Sequence, residues 1–184
     1  VVLNSGSEIE YKKFNWKYNR ELNLKGEAFF KVAKGEKFDV KTNLGKVTVV
    51  GTQFNVKARN QNFEVECFEG KVKVVFNGKQ ILLTEGKSIF VQNGIEIDSR
   101  NDVSESPNWL QSEMEFNNNS LSEITAEMER QYSISIENNF VSDKKFSGIL
   151  PSDNLDTALE IISKTYKLKY SKPTKKKVVL TKNE

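Results

Sequence analysis

The chain has no histidine and only one cysteine among its 184 residues. Without histidine it lacks the side chain most used as a general base near neutral pH and as a metal ligand. With Cys67 alone it forms no internal disulfide and no zinc–thiolate cluster. Cys67 lies in FEVECFEG, on the strand face shared by Phe63 and Val65. That is the place of a buried thiol packing as a small apolar residue. No run approaches the ~20 apolar residues of a membrane helix, and no leader pattern is visible. Charge of one sign is scarce as well, since the net charge is only +3. Nucleic-acid binding calls for a stronger, clustered excess. The tail lysines Lys172, Lys175, Lys176 and Lys177 have no interleaved aromatics, and read as a solvated turn before a last strand. These absences lead us to expect no metal, no cofactor and no nucleic-acid partner.

What is present has two different grammars. Residues 1–100 alternate apolar and polar positions in segment after segment, and no stretch holds a helical period. The segments are Glu8–Tyr11, Leu22–Leu24, Glu27–Val32, Lys37–Lys41, Lys46–Val50, Gln53–Ala58, Phe63–Phe68, Lys71–Phe76, Gln80–Leu83, Ser88–Gln92 and Ile95–Ile97. Asn77-Gly78 and Asn93-Gly94 fall between alternating segments, a strong two-residue hairpin signal. This half is predicted to be an all-β domain, a short-stranded sandwich or coil of strands. The polar stretch RNDVSESPN, Arg100–Asn108, is the expected linker, and residues 109–184 the second domain.

The second half changes period. Leu121, Ile124 and Met128 fall at helical spacing, and Ser120 with Glu123 forms a capping box ahead of a helix expected to end near Tyr132. The pattern then returns: Leu121 aligns with Leu155, Met128 with Ile162, Arg130 with Lys164, Tyr132 with Tyr166 and Ile134 with Leu168. A strand precedes each helix, at Glu113–Phe116 and Lys145–Ile149, and a strand follows each. The copies have one helix each, which excludes tetratricopeptide repeats. The expectation is a small α+β domain of two βαβ-like repeats, with both helices on one face of a short sheet and Lys177–Lys182 as a final strand. Trp109 is expected to pack at the start of this domain.

Two stretches stand out as candidate sites. Glu64 and Glu66 share a strand face, with Glu69 next, a pairing of acids that can do acid–base work, but their alternation with Phe63, Val65 and Cys67 reads as a solvated face. Gly51-Thr52 interrupts the apolar run VVGTQFNV. Glycine there marks a bulge or a close backbone approach, and threonine is a good strand residue.

The blocks LNSGSEIEY, LKGEAFFKVAKGEKFDVKT, KVTVVGTQFNVKA, VECFEGKVKV and LLTEGKSIFV resemble the FecR family in order and spacing. Val50 stands where the family pattern has leucine. MEFNNNSLSEI, FSGIL and LDTALEII resemble the C-terminal domain of Bacteroidetes-type members, itself similar to the secretin and TonB short domain. The resemblance implies a regulator, not an enzyme: the periplasmic part of an inner-membrane protein. It implies binding to the N-terminal signalling domain of a TonB-dependent outer-membrane transporter. It implies control of an extracytoplasmic-function sigma factor through a cytoplasmic part, and a membrane span, neither found in these residues. The opening VVLNSGSEIEY, strand-like and without methionine, fits a piece of a longer protein. The resemblance also implies self-cleavage at Gly51-Thr52 as a candidate reaction. A carbohydrate-binding β module with an accessory α+β domain is the competing reading, weakened by the low tryptophan count.

Overall fold

A computed structural model describes residues 1–101 and 103–183 of the chain; Asp102, within the expected linker, and Glu184 lie outside them. The chain forms two compact units, Val1–Pro107 and Asn108–Glu184.

Among its described residues, the first unit is built from strands apart from one 3-10 turn, Lys13–Asn15. Its strands are β1 (Val2–Leu3), β2 (Glu8–Tyr11), β3 (Arg20–Val32), β4 (Phe38–Lys41), β5 (Lys46–Val49), β6 (Thr52–Arg59), β7 (Asn62–Glu69), β8 (Lys71–Phe76), β9 (Lys79–Thr84), β10 (Lys87–Gln92) and β11 (Ile95–Arg100). Their order is β11-β10-β7-β6-β3-β4-β5-β8-β9, with β1 and β2 both on β3. The two stretches expected at Leu22–Leu24 and Glu27–Val32 are one continuous strand, β3. Its first part pairs with β2 and β4, and its second part with β1 and β6. The change of partners falls at Gly26, whose φ is +96° and where a Cβ would lie 2.5 Å from Ser7 Oγ. Only glycine lets the strand turn this corner.

Side chains on one face of these strands form a single core. Phe30 stacks on Phe54 at 4.9 Å, and Val56, Phe63, Val65, Cys67, Val72, Val74 and Ile89 fill the space around them. Alternation produces this: along β5, β7 and β8 every second residue is buried. Asn77-Gly78 and Asn93-Gly94 make the expected hairpins with positive φ at both residues, and Asn60-Gln61 makes a third without glycine.

The second unit contains β12 (Glu113–Ser120), α1 (Leu121–Tyr132), β13 (Ser135–Asn138), β14 (Lys145–Pro151), α2 (Leu155–Tyr166), β15 (Leu168–Thr174) and β16 (Lys177–Lys182). The repeat is real in three dimensions. Both helices end on a left-handed residue at matched positions, Ser133 (φ +53°) and Lys167 (φ +55°). The Ser120–Glu123 capping box forms in full. The strands, however, do not share one short sheet. The two pre-helix strands pair antiparallel as β12-β14, and the two post-helix strands flank the last strand as β13-β16-β15. Each strand–helix–strand copy therefore contributes one strand to each sheet. Ile124, Met128, Leu150, Leu159, Ile162 and Leu180 join both helices and both sheets in one core.

Candidate functional site

Gly51-Thr52 lies where β5 ends and β6 begins. Gly51 has φ +148°, and a Cβ on it would fall 2.6 Å from Lys34 Cα and 3.0 Å from Lys34 N. The backbone of the preceding turn crosses here, tied by the Gly35 N–H donating to the Val50 carbonyl at 3.0 Å. Glycine is thus required twice, by dihedral and by space. Thr52 opens β6 opposite Val32 and is buried. Its hydroxyl donates to the Lys71 carbonyl at 3.1 Å. A carbonyl oxygen accepts that hydrogen bond without taking the proton away, so this arrangement holds Thr52 in place and does not activate it. On the other side, Gly70 lies against the Gly51 carbonyl, with room only for hydrogen: a Cβ there would be 3.0 Å from that oxygen. One residue further on, β6 and β7 slip register between Gln53 and Phe54. The pair occupies a packed strand corner next to a bulge.

Glu64 and Glu66 require a correction. They do not lie on a solvated face. Glu66 faces a polar cluster assembled from distant parts of the chain, on the side of the sheet opposite the core. Asn55 Nδ2 donates to Glu27 Oε1 at 2.9 Å and to Glu66 Oε2 at 3.3 Å. Asn4 Nδ2 donates to Glu27 Oε2 at 2.8 Å. Arg100 pairs with Glu64 at 3.0 Å. Burial, then the neighbouring charges of Glu64 and Glu27, push the Glu66 carboxyl up to about 8, against weaker opposing pulls from Arg100 and Lys57. The reason lies in register: β6 sets Asn55 beside Glu66, and β10 covers the other flank.

Cys67 packs in the core as the sequence suggests. Burial, followed by the charge of Glu85, pushes its thiol up to about 11, so it is neither a ready nucleophile nor a ready ligand. Among the described residues, no three His, Cys, Asp or Glu side chains group as metal ligands. No helix among them is long and apolar enough to cross a membrane.

The sheet ends at β11 on one side and β9 on the other. Along β11, Ile95 and Ile97 are exposed to 63% and 57%. An edge strand carrying two bare isoleucines is a surface that another strand can pair with. Nothing in the sequence separates β11 from an interior strand, because edge position depends on the order of all the others.

Residues 1–73 match the FecR protein family, and residues 113–180 match the FecR C-terminal domain. The chain belongs to the FecR family. Two crystal structures, at 1.65 and 2.50 Å, of a candidate anti-sigma factor from Parabacteroides distasonis ATCC 8503 superpose on it with a TM-score of 0.87. Sequence identity is 29%, over 99% of this chain and 89% of that one. No curated protein matches.

The blocks that carried the family resemblance map onto this FecR fold in a simple way. Gly26–Val32 is the second part of β3, and Val50–Val56 is the corner plus most of β6, the strand paired with it. In the C-terminal domain, the phenols of Tyr132 and Tyr166 donate to the carbonyls of Pro151 and Lys144 and fasten the ends of α1 and α2. Lys172 and Lys177 are tied to Asp156 and Glu137. The last strand is central in its sheet, so Lys177 does not guard an edge. Trp109 is half-buried in the 3-10 turn Asn108–Gln111 before β12.

Proposed function

We propose that the chain is the periplasmic signal-relay part of a FecR-type anti-sigma regulator. It binds the N-terminal signalling domain of a TonB-dependent outer-membrane transporter and thereby governs an extracytoplasmic-function sigma factor. The observation that carries this reading is the pair of FecR matches, one in each unit, together with near-complete coverage by a candidate anti-sigma factor. The C-terminal unit is read as a relative of the secretin and TonB short domain. Partner recognition is by strand addition at β11, where main-chain groups of the edge supply the affinity and Ile95 and Ile97 the apolar contact. Calorimetry of the chain against the signalling domains encoded in the same genome tests this. Saturable binding to one of them, weakened at least tenfold by Ile95→Lys with Ile97→Lys, is expected. Unchanged affinity in that variant would move the contact away from β11.

A second reading concerns the same chain's integrity: the crowded, positive-φ corner at Gly51 favours it, and it requires the Thr52 hydroxyl first to leave the Lys71 carbonyl. The Thr52 hydroxyl attacks the Gly51 carbonyl carbon, the C–N bond breaks, and the freed amine of Thr52 takes the proton. Water then opens the ester, leaving a Gly51 carboxylate and restoring the hydroxyl. Both fragments would stay together, because β3 remains paired with β6, and β5 with β8, across the break. The expected result is two masses under denaturing conditions and one species under native conditions, with cleavage abolished in Thr52→Ala. One intact mass for the wild type would leave Gly51-Thr52 as a strand corner alone.

A further inference from the structure

The connection from β2 to β3 has a composition found nowhere else in the chain. Residues 11–19 read YKKFNWKYN: four aromatics, three lysines and no acid. The structure divides these aromatics sharply. Trp16 turns inward, edge-on to Tyr11 at 5.0 Å and to Phe38 at 6.1 Å, and packs against the main core. Arg20, at the loop's end, lies over the Phe38 ring and donates to the Glu36 carbonyl at 3.2 Å. The loop is therefore pinned at its base. Phe14 points the other way and is fully exposed (106%), and Tyr18 is 84% exposed. Lys12, Lys13 and Lys17 are exposed around them. Of the acids nearest on the flanking strands, Glu8 and Glu21 are paired with Lys25 and Lys41, and Glu10 is exposed beside Tyr11.

Two exposed rings on one short loop, set among three lysines, form a patch and not a scattered single residue, and covering them is favourable. The surrounding charge limits what that is. Three cations on a loop that itself holds no acid favour an anionic surface. Phe14 has no polar atom to pair, so the cover must accept a bare hydrocarbon group. A nucleic-acid site would use aromatic faces as stacking platforms along a groove. Here the largest ring, Trp16, is spent on the core, and Phe14 stands at a tip. Aromatic rings at headgroup depth flanked by lysines are the usual signature of a membrane interface.

We propose that the Lys12–Asn19 loop is a lipid-binding site: Phe14 and Tyr18 insert at the headgroup boundary of an anionic bilayer while Lys12, Lys13 and Lys17 pair with lipid phosphates. The site stands on its own residues and does not depend on the relay reading. Its role is to hold the first unit against a membrane face, fixing which of its edges remain open to a partner.

Co-sedimentation of the chain with vesicles tests it directly. The wild type should partition onto vesicles of phosphatidylglycerol and phosphatidylcholine in equal parts, and not onto phosphatidylcholine alone. Phe14→Ala should lower the partition coefficient by about tenfold. Phe14→Leu should keep most of it. Replacing Lys12, Lys13 and Lys17 by glutamine should lower it by about a hundredfold, and added salt should act in the same direction. Trp16 stays in place in every variant, so near-ultraviolet circular dichroism should be unchanged. Absence of wild-type binding to the anionic vesicles would overturn the proposal. So would equal binding by the wild type, Phe14→Ala and the triple variant. Binding to a single-stranded oligonucleotide in place of vesicles would overturn it too and reassign the loop.

Discussion

Gly51 and Glu66 show how much single positions decide. Gly51→Ala places a Cβ against the Lys34 backbone and forces alanine to φ +148°, a region that side chains rarely enter. The expected loss is about 2 kcal/mol or more in the first unit, read as a lower urea midpoint. Thr52→Ala removes one buried hydrogen bond and is expected to lose about 1 kcal/mol. A Gly51→Ala loss no larger than that of Thr52→Ala would mean the corner is slack. Glu66 acts through pH. Its folded carboxyl is raised to about 8 from an ordinary value of 4.5. Between those values the folded chain holds a proton that the unfolded chain releases. Stability from this group is therefore full below 4.5, falls as pH rises through the interval, and is gone above about 8. Glu66→Gln should flatten that decline and raise the urea midpoint at the alkaline end. A wild-type decline that survives the substitution would place its source elsewhere.

Individual strands and helices were largely legible from the chain. Alternation marked the strands because one face is buried throughout, and the Asn-Gly pairs marked two hairpins because that turn requires positive φ at both residues. The Ser120–Glu123 box and the matched tyrosines revealed both helices. Three things were not legible. Gly26 looked like a break between strands, yet β3 passes through it, since a sheet corner and a strand end leave the same glycine. The strands of each repeat were read into one sheet, and they separate into two, because sequence periodicity records which face is buried and not which neighbour is paired. The acids of β7 looked solvated, because Asn4, Glu27, Asn55 and Arg100, which enclose them, come from four other places in the sequence. Gly51-Thr52 was found from its residues alone, but the reason for the glycine, the Lys34 backbone crossing it, is tertiary. The exposed edge at β11 and the division of the Tyr11–Asn19 aromatics into one anchor and bare tips likewise needed coordinates.

At the scale of the molecule, two separately cored units are carried on one chain, one all-β and one α+β. Among the described residues, neither groups three His, Cys, Asp or Glu side chains that could hold a metal. What both offer among the described residues is strand edge: β11 and β9 end the large sheet of the first unit, and β12, β14, β13 and β15 are edge strands of the second. Free strand edges are suited to passing a signal by contact. The FecR match and the likeness to a candidate anti-sigma factor support an anti-sigma regulator role, and in the proposed function the signal arrives from an outer-membrane transporter. The measurement that tests this most directly is calorimetric titration of the 184-residue chain with the N-terminal signalling domains encoded in the same genome. The account predicts one-to-one saturable binding to at least one of them. A folded chain that binds none would contradict it.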